Sequence, residues 1–207
     1  MENESILFSH PFSKAYWKTA AMEWKSLKKI VFASFIIALV IVFSFFSKTL
    51  HLELFERKIY FSFVPMSLLA LLFGPTVAIA GGFIADIIGF MLLPNGVFFP
   101  GYTLSSILGA LIYALFFYRS KITILRIFLA KFCVNIFVNA ILGALWLKMM
   151  TPESTVYMVK LVSGLIKNII LLPFEVIILY LFFTAIIPIF KQFQLLSPKI
   201  PNQIRII

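Results

Sequence analysis

Cysteine is nearly absent from this chain, histidine occurs twice and acidic side chains are few. The one cysteine, Cys133, lies inside an apolar stretch, which excludes an intrachain disulfide and a cysteine-rich metal site. One aspartate, Asp86, falls within the apolar stretches, too few for an aspartyl dyad. His10 and His51 lie in flanking segments, so no intramembrane serine has a histidine partner. There is neither a GxxxxGK(S/T) phosphate loop nor an HExxH zinc motif. These absences argue against an enzyme and against ATP hydrolysis by this route, and no cofactor or metal is expected. No internal repeat is evident either, so an inverted-repeat secondary transporter is not supported.

What the chain has is apolar surface. Of its 207 residues 62% are hydrophobic and 17% aromatic, against 13% charged, with a mean hydropathy of +1.05. That composition belongs to an integral membrane protein. Six apolar blocks read as helices: Ile30 to Ser47, Ile59 to Phe73, Pro75 to Leu93, Gly101 to Tyr118, Ile122 to Leu147 and Leu161 to Ile187. A crossing takes about 20 residues at about 1.5 Å each, so the second block is marginal and is expected to start inside a folded loop. The first block has no small-residue cleavage site after it and reads as a retained span. The fold class expected is an all-α membrane protein, one bundle of six transmembrane helices over 30–187. Residues 1–29 form an amino-terminal interfacial segment and 188–207 a tail.

The surplus of 18 Lys and Arg over 8 Asp and Glu reports topology. Lys14, Lys18, Lys25, Lys28 and Lys29 precede the first span. Arg119, Lys121 and Arg126 join the fourth to the fifth, and Lys191, Lys199 and Arg205 follow the last. By the positive-inside rule these segments, and both termini, are cytoplasmic. The stretch LLPNGVFFPGYTLSS, residues 92–106, then lies on the outer face. Residues 12–29 alternate aromatic and basic side chains at roughly helical spacing. They read as an amphipathic helix with Tyr16, Trp17 and Trp24 at the interface, serving as an anchor or as a docking surface for a partner protein. The alternation from Leu50 to Phe55 suggests a short strand or hairpin, either a lid or an ordinary solvated loop.

Small residues recur four apart along several spans, which lets helix backbones approach. On the first helix Ala33, Ser34 and Ala38 form a candidate smooth face for another membrane subunit. Asp86, Lys131, Lys167 and Glu175 lie within predicted spans, where Asp or Lys costs about 2.5 to 3.5 kcal/mol at a helix centre, so each should face the interior. Lys131 with Glu175, and Asp86 with Lys167, would satisfy all four; alternatively Lys167 offers its ammonium to an anionic ligand group. In the fifth span Lys131, Asn135, Asn139, Gly143 and Trp146 follow at intervals of four, four, four and three, one helical face. Two amides and an aromatic ring suit a flat polar heterocycle; interhelical hydrogen bonding is the competing use. Irregular backbone near membrane depth is tolerated where protein buries it or water reaches it. The 92–106 stretch, with Asn95, Phe98, Phe99, Tyr102 and Thr103, is therefore expected to line the mouth of a binding cavity.

In order along the chain, FSFVPMSLLALLFGPTVAIAGGFIADIIGF, FFPGYTLSSILGALIYALFFYRSKITILRIFLAK, VNIFVNAILGALWL and IKNIILLPFEVII resemble the folate-family S components of energy-coupling factor (ECF) transporters, from about Ile30 to Ile187. The resemblance implies a six-helix membrane subunit that captures a vitamin at the outer face and associates with a transmembrane coupling subunit and two ATPases. It would then topple to release its cargo inside. It also implies that Ala33, Ser34 and Ala38 meet the coupling subunit, that Asn135, Asn139, Trp146 and Lys167 line the site, and that the loop after the first helix caps it. Gly143, Ala144 and Gly164 stand where the family pattern has asparagine, threonine and arginine. Folate is the first expectation from the resemblance, and these departures open pantothenate or a pyrimidine precursor as alternatives. Outside this class, an autonomous channel or a ligand-free membrane assembly protein are the competing readings.

Overall fold

A computed structural model describes residue 11 and residues 13–49, 53–54, 57–58, 60–94, 96–151, 156–196 and 204–205. Apart from one small hairpin the described elements are helical. Helix α1 (Lys14–Met22) starts on Ser13, whose hydroxyl accepts the Tyr16 amide, and passes through a 3-10 turn into α2 (Leu27–Thr49). Strands β1 (Glu53–Leu54) and β2 (Arg57–Lys58) pair antiparallel, Glu53 opposite Lys58, the hairpin expected between the first spans. Then follow α3 (Phe63–Leu92) and α4 (Pro100–Phe117). A single rod comes next, made of α5 (Ile124–Cys133), a π-helix (Val134–Leu142) and α6 (Gly143–Met150). The last element is α7 (Val156–Gln192).

Five of these helices are long and apolar enough to cross a bilayer: α2, α3, α4, the Ile124–Met150 rod and α7. The second and third sequence blocks meet inside α3 without a loop. At Gly74 the backbone takes φ 74°, ψ −171°, a conformation open to glycine, and Pro75 follows, which cannot donate an amide to the turn before it. The chain folds back there. Leu69, five residues before the break, touches Gly81, seven after it, leaving no room for a side chain on Gly81. The limb before the break is buried all round from Phe63 to Phe73. A helix without a polar face belongs at the centre of a bundle, and this limb lies there, with α2 and α4 against α3. The rod packs on α7 and α4 to complete the bundle.

The three basic segments gather at one end. The Tyr16 hydroxyl donates to the carbonyl of Ala114 at 2.8 Å, and the Thr76 hydroxyl donates to Ala20 O at 2.8 Å. Lys28 Nζ donates to Phe193 O at 3.0 Å, and the Ile124 amide donates to Arg205 O at 3.0 Å. Helix α1 therefore sits on the bundle and not only on a lipid surface. Tyr16, expected at the interface, is instead fully buried against Tyr118, because its hydroxyl finds a protein acceptor that a lipid tail cannot offer. Trp17 and Trp24 remain exposed as expected.

Candidate functional site

At the far end from α1, Phe99 caps α4 in an extended conformation and Pro100 occupies the first helical turn, where its missing amide costs nothing. Phe99 meets Trp146 with ring centroids 5.7 Å apart and Tyr102 at 6.0 Å. Gly101 makes the approach possible: a Cβ there would lie 2.6 Å from the Trp146 ring. The indole N–H of Trp146 donates to Ser105 Oγ at 2.8 Å, which ties α6 to α4 and fixes the ring plane. Phe99 and Tyr102 thus form one aromatic cluster with Trp146, more than 40 positions further along the chain, with Tyr102 exposed.

The other loop residues diverge. Phe98 is exposed and meets Phe90 edge-on at 5.2 Å. Thr103 points away from the aromatic cluster, buried, with its hydroxyl donating to Asp86 Oδ2 at 2.6 Å. That bond satisfies an intramembrane carboxylate and joins α3 to α4. Asn95 lies outside the described residues.

Deeper in the bundle the rod and α7 share a polar network. Lys131 Nζ lies 3.1 Å from Glu175 Oε1, the ion pair expected from their similar depth, and also 3.7 Å from the centroid of the Phe63 ring. Both charges are almost fully shielded. Asn135 Nδ2 donates to Glu175 Oε2 at 2.7 Å, and Asn139 Nδ2 donates to Asn135 Oδ1 at 3.1 Å. Asn168 Nδ2 donates to the main-chain carbonyl of Asn135 at 3.1 Å. Lys167, its neighbour on α7, is half-buried.

The π-helix changes the face read from an α-helical period. Its hydrogen bonds reach five residues instead of four, yet Asn135 and Asn139 stay neighbours, bonded to each other, and differ in exposure: Asn135 is 1% exposed and Asn139 stands on the exposed side of the same rod. Both asparagines are in one hydrogen-bonded chain, and among the described residues Asn139 keeps one N–H and its side-chain oxygen without a partner while the Asn135 amide is fully engaged. Sequence reasoning missed Asn168, which adjoins Lys167, and Ser105, which lies within the 92–106 stretch.

The small-residue stripe expected on α2 also divides. Ala33 turns into the core beside Ile36 and Val40, while Ser34 and Ala38 face outward on α2. A groove of about 480 Å³ runs along the outer side of α7 at Met158, Val159, Val162, Ser163 and Ile166.

Known proteins share this sequence and this bundle. Residues 28–195 match the family described as "ECF transporter, substrate-specific component". The folate transporter FolT of Clostridium novyi (strain NT) is 34% identical over 156 residues, covering 75% of this chain and 88% of its own. A FolT of Leuconostoc mesenteroides subsp. mesenteroides is 33% identical over 127 residues, covering 59% of this chain and 69% of that one. The crystal structure of FolT bound with folic acid superposes with a TM-score of 0.64 at 36% identity, over 74% of this chain and 90% of that chain. With the family matched over residues 28–195 and a relative 34% identical over 75% of this chain, the chain belongs to the substrate-specific components of ECF transporters.

Proposed function

We propose that this chain is the folate-capturing subunit of an ECF importer in the bacterial plasma membrane. The observation that carries the reading is the 36% identity and shared bundle with FolT bound to folic acid, over 90% of that chain. The vitamin enters from the outer face, its flat heterocycle stacking on the aromatic cluster of Phe99, Tyr102 and Trp146. Asn139 hydrogen-bonds its edge. Lys167 meets an anionic group, and Phe98 shapes the mouth. The chain works by binding and delivery, without catalysis of its own.

The fold-back at Gly74 supports six crossings, counting the two limbs of α3 separately, which returns both termini to the cytoplasm. The gathering of α1, the 118–123 turn, Phe193 and Arg205 at one end is consistent with that topology. Ser34 and Ala38, outward and small, suit close approach by a transmembrane coupling subunit, which two ATPases energise.

The test is titration of the purified full-length chain in detergent, by calorimetry or intrinsic-fluorescence quenching. The ligands are folate, 5-formyltetrahydrofolate, pantothenate, hydroxymethylpyrimidine and riboflavin. One-to-one binding confined to the folates is expected. Binding of pantothenate or the pyrimidine in their place would reassign the cargo, and folded protein that binds none of the five would overturn the capture reading.

A further inference from the structure

Asn139 poses a problem of orientation. A carboxamide has a donor end and an acceptor end of nearly the same shape, and a half-turn about its last bond exchanges them. An asparagine free to flip recognises an N–H beside a C=O, or the reverse pattern, with equal ease. We infer that Lys131, Glu175 and Asn135 form a positioning relay that holds the Asn139 amide in one orientation. The site thereby selects a cyclic-amide edge on its ligand over the reversed edge.

The polarity starts at Glu175. Its carboxylate, paired with Lys131 at 3.1 Å, can only accept hydrogen bonds. Asn135 therefore presents its nitrogen to Glu175 Oε2 at 2.7 Å, and the second hydrogen of that nitrogen is directed at the main-chain carbonyl of Asn168 at 3.4 Å. Flipping Asn135 would set its oxygen against two acceptors in a buried site, so its Oδ1 is fixed as an acceptor. Among the described residues the donor it receives is Asn139 Nδ2, at 3.1 Å. Flipping Asn139 would in turn bring two carboxamide oxygens together. The reciprocal bond from Asn168 to the Asn135 carbonyl at 3.1 Å locks the rod and α7 in register, so the relay cannot relax by sliding.

Asn139 keeps one N–H and its carbonyl oxygen, and it makes no other hydrogen bond among the described residues. It is exposed near the middle of the Ile124–Met150 span, where hydrocarbon would leave both groups unsatisfied. A ligand edge bearing an acceptor and a donor side by side completes them. The inference rests on the folate reading, and folate carries such an edge in the N3–H and C4=O of its pterin. Its 4-amino analogue, aminopterin, reverses that edge: ring N3 accepts and the amino group donates.

The experiment is parallel titration of folate and aminopterin into the full-length chain, as wild type, as Asn135→Ala, and as the charge-neutral Lys131→Met/Glu175→Leu pair, which leaves no acceptor at position 175. Thermal unfolding serves as a check of folding. Wild type should prefer folate by about tenfold or more, the effect of one mismatched buried hydrogen bond. In either variant the preference should fall to within about threefold, because the released amide can turn to suit both ligands. A wild type that binds folate but does not discriminate would overturn the relay while leaving the folate reading intact, and this result needs no variant to fold. A preference unchanged in a folded variant would also overturn it. A wild type that binds neither compound would sink the folate reading itself, and the relay with it.

Discussion

Removing the Glu175 carboxylate alone should cost more stability than removing both charges of its pair. The Lys131 side chain is 3% exposed and that of Glu175 11%, with 3.1 Å between the charged atoms. In Glu175→Ala the ammonium keeps only the face of Phe63, 3.7 Å from the ring centroid, and Asn135 loses its 2.7 Å acceptor. A buried charge stripped of its partner costs about 3 to 5 kcal/mol. The lost charge-assisted hydrogen bond, partly replaced by the Asn168 carbonyl, adds about 1 kcal/mol. In Lys131→Met/Glu175→Leu no charge is left, the two side chains keep roughly their volume, and the net change should stay within about 2 kcal/mol. Thermal unfolding in detergent measures both. For a chain of this size 1 kcal/mol corresponds to about 2 to 4 °C, so the single variant should melt about 10 °C below wild type and the double variant within about 5 °C of it. Equal losses in the two variants would refute the reasoning, because they would mean that the lysine finds water or lipid head groups when its partner is gone.

Gly74→Ala should destabilise by about 1 to 3 kcal/mol, since the residue has positive φ and a Cβ would stand 2.8 Å from the Tyr118 ring; chemical or thermal unfolding reads it. Burial, reinforced by the neighbouring Tyr118, holds the Tyr16 hydroxyl above its ordinary value of 10.0, so it remains a donor to Ala114 throughout the neutral range. The sign follows from a raised folded value: the contribution is whole below pH 10 and is lost as pH climbs further. Protease accessibility of α1 should therefore rise on alkaline titration, and Tyr16→Phe should show weaker docking at neutral pH without the alkaline step. Ala38→Trp, on the outward face of α2, should leave folate binding by the isolated chain unchanged and abolish uptake when the coupling module is present. Normal uptake by that variant would move the coupling surface elsewhere.

Hydropathy and charge alone determined a good deal of this protein. They located the apolar helices, the irregular stretch before Pro100, the hairpin after the first span and the partnership of Lys131 with Glu175. Each follows from a property that is local or additive: apolar length must match the bilayer, proline and glycine interrupt helices, and an intramembrane charge needs an opposite charge at its own depth. The quoted segments also carried the family resemblance, which needs only order and identity of residues.

What the tertiary structure decided depends on neighbours from distant parts of the chain. That Tyr16 is buried follows from the Ala114 carbonyl, 98 residues away. The fold-back of α3 has a local cue in Gly74–Pro75, but its sharpness shows only in the contact of Leu69 with Gly81. The site depends most on this level. A helical period of 3.6 puts Asn135 and Asn139 on one face, where they do meet, but packing against Glu175 and Asn168 on another helix decides that Asn135 is buried while Asn139 is exposed. Periodicity describes a helix in isolation. Which face becomes a site is decided by the hydrogen bonds that a neighbouring helix imposes on it.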